Sequence, residues 1–146
     1  MTQVAYPDLH ARIEASFVRQ GMMQHLGARI VFVAPGEVEI ALPYSERVTQ
    51  QQGGYHGGAM GALADIAAGY AGLTMAAEGQ EVTTVEYKIN FLAAFSGGEL
   101  RARGHVVRAG KRLIITTAEV VHLNDDGGES PCALMQQTLA TVNKTY

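Results

Sequence analysis

The segment from His56 to Ala77, HGGAMGALADIAAGYAGLTMAA, limits the fold more than any other part of this chain. Asp65 is its only charged residue, and the rest is dominated by Ala, Gly, Leu and Met. Such a composition predicts a long helix that is buried nearly all round. Its length is close to the roughly 20 residues a bilayer crossing needs. A crossing helix is nonetheless a poor fit, because Gly and Ala replace the usual Leu, Ile and Phe, a carboxylate sits near the centre, and no Lys or Arg flanks the ends. The helix must therefore be enclosed by the rest of the chain.

The remaining sequence supplies the enclosure. Residues 82–93, 99–108, 112–123 and 132–142 are β-branched and separated by Gly-containing breaks, which predicts four strands. Because they are consecutive, they are expected to form an antiparallel meander. In the first of them Val85, Tyr87, Ile89 and Phe91 alternate with Thr84, Glu86, Lys88 and Asn90. That alternation predicts one buried face and one that is wet or paired with another subunit. Two earlier strands, 28–34 and 37–42, flank the Pro35-Gly36 turn, and 43–55 reads as a loop. Leu9, Ile13 and Phe17 recur at four-residue spacing, predicting an amphipathic helix that ends near Gly21, within an N-terminal helical segment of residues 1–24. With 146 residues, 47% of them hydrophobic, the chain is expected to form one domain. The expected class is α+β, a curved antiparallel sheet wrapped around one central helix.

Charge and cysteine content narrow the setting. A net charge of −3 argues against a nucleic-acid partner, which would need surplus Lys and Arg. The single cysteine, Cys132, allows no internal disulfide, and MTQVAYPDLH lacks the basic and apolar regions of a signal peptide. A cytoplasmic protein with no membrane partner is the expectation.

The run HGGAMGALAD resembles the His-Gly-Gly, helix and acid signature of hotdog-fold acyl-CoA thioesterases of the phenylacetate-degradation (PaaI-like) type. The stretch VTTVEYKINFLAAFSGGELRARGHVVRAGKR is similar to that family's strand, Gly-Gly turn and hairpin, and the resemblance spans roughly residues 25–142. It implies the hotdog fold, thioester hydrolysis and a dimer that pairs again into a homotetramer. It also implies a contact to the thioester or to water from Gln50, at the offset from His56 where relatives carry Gln or Asn, although Gln51 and Gln52 leave the register open. A hydroxyl that holds the attacking water is implied at Thr84, with Thr83 as the alternative.

The chemistry of the residues points the same way. Thioester hydrolysis needs a donor for the developing oxyanion and a carboxylate that attacks the carbonyl or activates water. Gly57 and Gly58 fall where the helix should begin, and a helix start offers unpaired N–H groups. Asp65 is costly in an apolar helix unless it has a task. His56 is expected to orient the loop rather than to transfer protons. Five of the eleven basic residues, Arg101, Arg103, Arg108, Lys111 and Arg112, fall between 101 and 112, and Arg108, Lys111 and Arg112 are candidate partners for the phosphates of CoA. Met60, Leu63, Tyr70 or Phe91 are candidates to line an acyl tunnel. No metal-ligand spacing or phosphate-cradling Gly loop is present, so no metal or cofactor is expected beyond the CoA of the substrate.

Spacing adds a constraint. Gly57 and Asp65 are eight residues apart, about 12 Å along a helix. One thioester carbon cannot lie near both groups of the same chain, so a shared site requires two helices side by side in a twofold dimer. Two other readings compete. An acyl-CoA hydratase would want a His soon after the acid, and none follows Asp65 before His105. An acyl-CoA sensor would be expected to carry a regulatory segment, and only about twenty residues precede the first strand region.

Overall fold

The computed structural model describes residues 6–146, so the first five residues of the expected 1–24 helical segment lie outside the described residues. Helix α1 (Pro7–Phe17) buries Ile13 and Phe17, two of the three residues that predicted it. A second helix, α2 (Gly21–Leu26), follows where none was expected and extends the helical segment past residue 24. Gly27, at φ 82°, ends it in a left-handed conformation that costs glycine little. Strands β1 (Arg29–Ala34) and β2 (Glu37–Pro43) form the expected hairpin. The 43–55 loop contains a single 3₁₀ turn, Glu46–Val48, and is closed by a Thr49–Tyr55 bridge.

Helix α3 (Gly57–Leu73) is the central helix, one residue shorter than expected at its start and four at its end. It is not buried all round. Ala62, Asp65, Ile66 and Gly69 keep partial exposure and lie on one stripe, while the other faces are packed. Its backbone packs tightly on the sheet at Gly104, where an added Cβ would fall on the Ala67 carbonyl and 2.6 Å from Ala68 N.

Strands β3 (Gln80–Phe91), β4 (Glu99–Ala109), β5 (Leu113–Leu123) and β6 (Glu129–Asn143) complete one antiparallel sheet of order β1-β2-β4-β5-β6-β3. This corrects the expected meander of four. Strands β4, β5 and β6 do run as a meander, but β3 pairs with β6 at the far edge and not with β4. Residues 92–98 carry the chain back to the middle of the sheet. The Phe95 carbonyl accepts from Tyr55 N at 2.9 Å, and the Phe95 ring stacks on His122 at 4.5 Å.

The expected alternation along β3 needs a second correction. The register shifts between Thr84 and Glu86, leaving Val85 as a bulge. The bulge switches which residues face the helix. Thr84 reaches Asp65 from one side of it, while Tyr87 approaches Gly61 and Phe91 covers Gly57 from the other. In a single chain neither face of β3 is deeply buried, and Val85, Tyr87 and Phe91 are exposed.

Candidate active site

Asp65 sits halfway along α3 on its partly open stripe, and side chains from two strands meet it, one of them braced by a third strand. Thr84 Oγ1 of β3 donates to Asp65 Oδ1 at 2.7 Å. Gln137 Nε2 of β6 donates to the same oxygen and lies 3.3 Å from Thr84 Oγ1. Thr116 Oγ1 of β5 donates to Gln137 Oε1 at 2.9 Å, and both of these residues are fully buried. One carboxylate oxygen is thus held by two donors. Oδ2 has no hydrogen-bond partner among the described residues. Burial pushes the Asp65 carboxyl above the ordinary carboxylate range, against the bonds from Thr84 and Gln137, which pull it down.

Of the two threonines left open by sequence, Thr84 is the one that meets Asp65; Thr83 pairs with Ala140 on β6. Gln137 and Thr116 were missed by sequence reasoning. A signal existed: Ala133, Met135, Gln137 and Leu139 share the buried phase of β6, so Gln137 is the one amide in an otherwise apolar row.

The start of α3 holds the other group of candidates. His56 is the N-cap, and its Nδ1 accepts from Gly58 N at 2.7 Å. A Cβ on Gly58 would lie 3.0 Å from that nitrogen, so Gly58 makes room for the imidazole. The Ala59 and Met60 N–H groups donate to the His56 carbonyl at 3.0 and 3.1 Å. Gly57 N–H is left without an acceptor among the described residues. The Phe91 ring lies over Gly57, 3.3 Å from where a Cβ would stand.

Gln50 lies in the loop that leads into α3, with its side chain turned back on that loop. Its Oε1 accepts from Gln52 N, and its Nε2 lies 3.3 Å from the Cβ position of Gly54. With Oε1 occupied, Nε2 is the atom left to donate. The chain therefore presents Asp65–Thr84–Gln137 at mid-helix and His56–Gly57–Gly58 at the helix start, about two helical turns apart, with Gln50 in the loop before the second group.

The five clustered basic residues divide. Arg101 contacts Glu99 at 2.6 Å and Glu39 at 3.0 Å, and Arg103 contacts Glu129 at 2.5 Å, so these two belong to an ion-pair lattice on the sheet. Arg108, Lys111 and Arg112 are exposed, and among the described residues none has a carboxylate within 4.0 Å. They lie at the β4–β5 turn. Leu113, next to Arg112, pairs with Ala140, which pairs with Thr83. Two strand spacings, about 10 Å, thus separate the basic turn from the strand that carries Thr84.

A cavity of about 280 Å³ opens beside Asp65 and Thr84 and runs to Tyr70. Met60 and Leu63, the other helical tunnel candidates, are packed into the core. Among the described residues no group of three or more His, Cys, Asp or Glu is placed to hold a metal ion. No described helix is long and apolar enough to cross a membrane.

Comparison with known proteins gives these positions a context. A model of the thioesterase superfamily matches residues 52–129, more than half of the chain and all of α3. A Saccharolobus solfataricus protein named as an esterase is 31% identical over 98 residues, covering 67% of this chain and 69% of its own. A thioesterase family protein of Silicibacter pomeroyi superposes with a TM-score of 0.89 at 38% identity, covering 93% of this chain and 99% of that one. The E. coli PaaI protein from the phenylacetic acid degradation operon superposes at 0.82 with 22% identity, over 94% of this chain and 95% of its own.

Proposed function

The chain belongs to the thioesterase superfamily, and from that premise we propose that it hydrolyses an acyl-CoA thioester to the free acid and CoA, with Asp65 as general base. The observation that carries this reading is the asymmetry of Asp65, which lines the cavity: Oδ1 is held by Thr84 and Gln137, and Oδ2 has no hydrogen bond among the described residues. A base works best when its pKa approaches the working pH, and burial moves Asp65 in that direction.

In this mechanism a water lies between Asp65 Oδ2 and Thr84 Oγ1. Asp65 takes one proton from it as the water oxygen bonds to the thioester carbon. Negative charge then gathers on the carbonyl oxygen, and a donor must meet it there. Gly57 N–H, unpaired at the positive end of α3, supplies one bond, and Gln50 Nε2 supplies the second. Collapse of the tetrahedral intermediate breaks the carbon–sulfur bond, and the proton on Asp65 passes to the departing thiolate. His56 shapes the helix start through its cap and takes no proton.

Donor and base come from different chains in this reading. Gly57 and Asp65 belong to one straight helix and lie about 12 Å apart. Strand β3 supports the pairing, because its outer edge is unpaired over twelve residues and exposes Val85, Tyr87 and Phe91. A long apolar edge of this kind calls for a cover. A second copy running antiparallel would cover it and bring Gly57 of one chain to Asp65 of the other, giving two equal sites. We extend this to a homotetramer, a dimer of dimers, by the family resemblance alone. Arg108, Lys111 and Arg112 meet the CoA phosphates in this arrangement, and the buried, unpaired Cys132 suits a cytoplasmic setting.

Turnover of a panel of acyl-CoAs tests the proposal, followed by a single turnover in ¹⁸O-water. A general base places the label in the released acid and none in Asp65. Label in Asp65 would mean that the carboxylate itself attacks.

A further inference from the structure

The cavity beside Asp65 has two unlike ends. It is a groove between α3, from Asp65 to Leu73, and the start of β3, from Thr84 back to Glu81. Asp65 and Tyr70 are five helical residues apart, about 7.5 Å. Thr84 and Glu81 are three strand residues apart, about 10 Å. The groove measures about 280 Å³ and is partly open to solvent. Gly69 opens the floor, since nothing lies within 4 Å of its Cβ position. The walls are apolar and the far end is not.

At that end Gln20 Nε2 donates to Tyr70 Oη at 2.9 Å. Tyr70 Oη and Ser16 Oγ are 3.0 Å apart, as are Ser16 Oγ and Tyr146 Oη. Tyr146 Oη donates to Glu81 Oε2 at 2.7 Å. A carboxylate at the end of the chain fixes the direction of every proton. Tyr146 gives its proton to Glu81, so Ser16 must give its own to Tyr146, and Tyr70 must give its own to Ser16. Each hydroxyl proton is then used, while each hydroxyl oxygen keeps a second lone pair. The end presents acceptors to whatever enters. Burial keeps the Tyr70 phenol protonated, which maintains this order.

A methyl terminus would meet these oxygens without pairing them. A carboxylate, which only accepts, would meet Glu81. Arg19 lines the same end and stacks 4.6 Å from the Tyr146 ring centroid, with Lys144 Nζ 4.7 Å from the same ring, so a carboxylate-tipped acyl group is the competing occupant that the titration must separate. We infer that Ser16, Tyr70 and Tyr146 select a short acyl group, one that spans the roughly 7.5 Å from Asp65 to Tyr70 and carries a hydroxyl at its distal end, an inference that rests on the thioesterase reading of Asp65.

Calorimetric titration of the Asp65→Asn chain reads this selection without turnover. The probes are hexanoyl-CoA, 6-hydroxyhexanoyl-CoA, dodecanoyl-CoA and adipoyl-CoA. The hydroxylated thioester should bind about threefold to tenfold more tightly than hexanoyl-CoA, the scale of one neutral hydrogen bond. Dodecanoyl-CoA should bind more weakly than either. Adding Tyr70→Phe or Ser16→Ala should bring the hydroxyl preference to about one. The inference is overturned if the parent ratio is one or less, if both variants keep the preference, or if adipoyl-CoA binds most tightly and so assigns the end to Arg19. Its failure is separable from that of the proposed reaction, which falls only if the unsubstituted chain hydrolyses none of these thioesters.

Discussion

Thr84 Oγ1 lies 2.7 Å from Asp65 Oδ1, and it does so because β3 carries a bulge at Val85. Without the extra residue, strand alternation would put Thr84 on the opposite face from Tyr87 and Phe91. Thr84→Val removes a bond to the carboxylate while keeping the strand. Turnover should fall by about tenfold or more, and the acid limb of the pH–rate profile should move upward, because a bond that lowers the Asp65 pKa is lost. Thr84→Ser should restore most of both. A profile that does not move in Thr84→Val would deny the contact a role in tuning the base.

Asp65→Asn should reduce turnover by about two orders of magnitude or more, since the amide cannot serve as a base. Stability should change in the other direction. The folded carboxyl has a raised pKa, so the folded chain holds the proton more tightly than the unfolded chain does. Wild-type stability is therefore lost as pH rises through the folded pKa. The Asn variant escapes that loss. It should melt higher than wild type at pH 7.5, and the gap should close toward about pH 4, where the unfolded carboxyl also protonates. Thermal melts across this range check it, and a variant less stable at pH 7.5 would mean that the hydrogen bonds outweigh the desolvation.

Replacing Arg108, Lys111 and Arg112 together by Ala should raise KM for a full CoA thioester with turnover little changed. The effect should weaken as salt is added, because all three are exposed. A thioester truncated to its pantetheine arm lacks the phosphates and should show no change. Equal KM shifts for the two substrates would make the cluster an ordinary solvated turn.

Gly104→Ala tests the packing that holds the site. The new methyl would press on the Ala67 backbone two residues from Asp65. Backbone cannot swing aside as a side chain can, so a loss of about 2 kcal/mol or more is expected. Denaturant unfolding measures it. Gly69→Ala, whose Cβ meets nothing within 4 Å, is the matched control and should raise stability by up to about 1 kcal/mol, the helix-propensity gain of Ala over Gly.

The parts of this molecule that were legible in sequence are those written locally. Asp65 stood out because a lone charge in an apolar helix is conspicuous, and Gly57 and His56 because a helix start has its own chemistry. Strand order was not legible. The register that pairs β3 with β6 is set by contacts some fifty residues apart, which no local pattern carries. The Val85 bulge is equally silent, because an uninterrupted alternation of residue types runs straight through it. Gln137 was hidden beside Gln136: two adjacent amides point to opposite faces, and only the phase of the neighbouring apolar residues separates them. The far end of the cavity draws on Ser16, Tyr70 and Tyr146, three parts of the chain that only folding brings together.

Mixing two inactive chains tests the shared site most directly. One carries Asp65→Asn and the other Gly57→Val, whose Cβ would meet the exposed Phe91 ring and whose branched side chain would crowd the Gly57 N–H. Random pairing makes half of the dimers mixed, and each mixed dimer has one site with both defects and one with neither. A one-to-one mixture refolded together should therefore recover about a quarter of wild-type activity, with sizing of the Gly57→Val chain confirming that it still assembles. Mixed dimers that assemble and stay inactive would contradict a base and an oxyanion donor drawn from different chains.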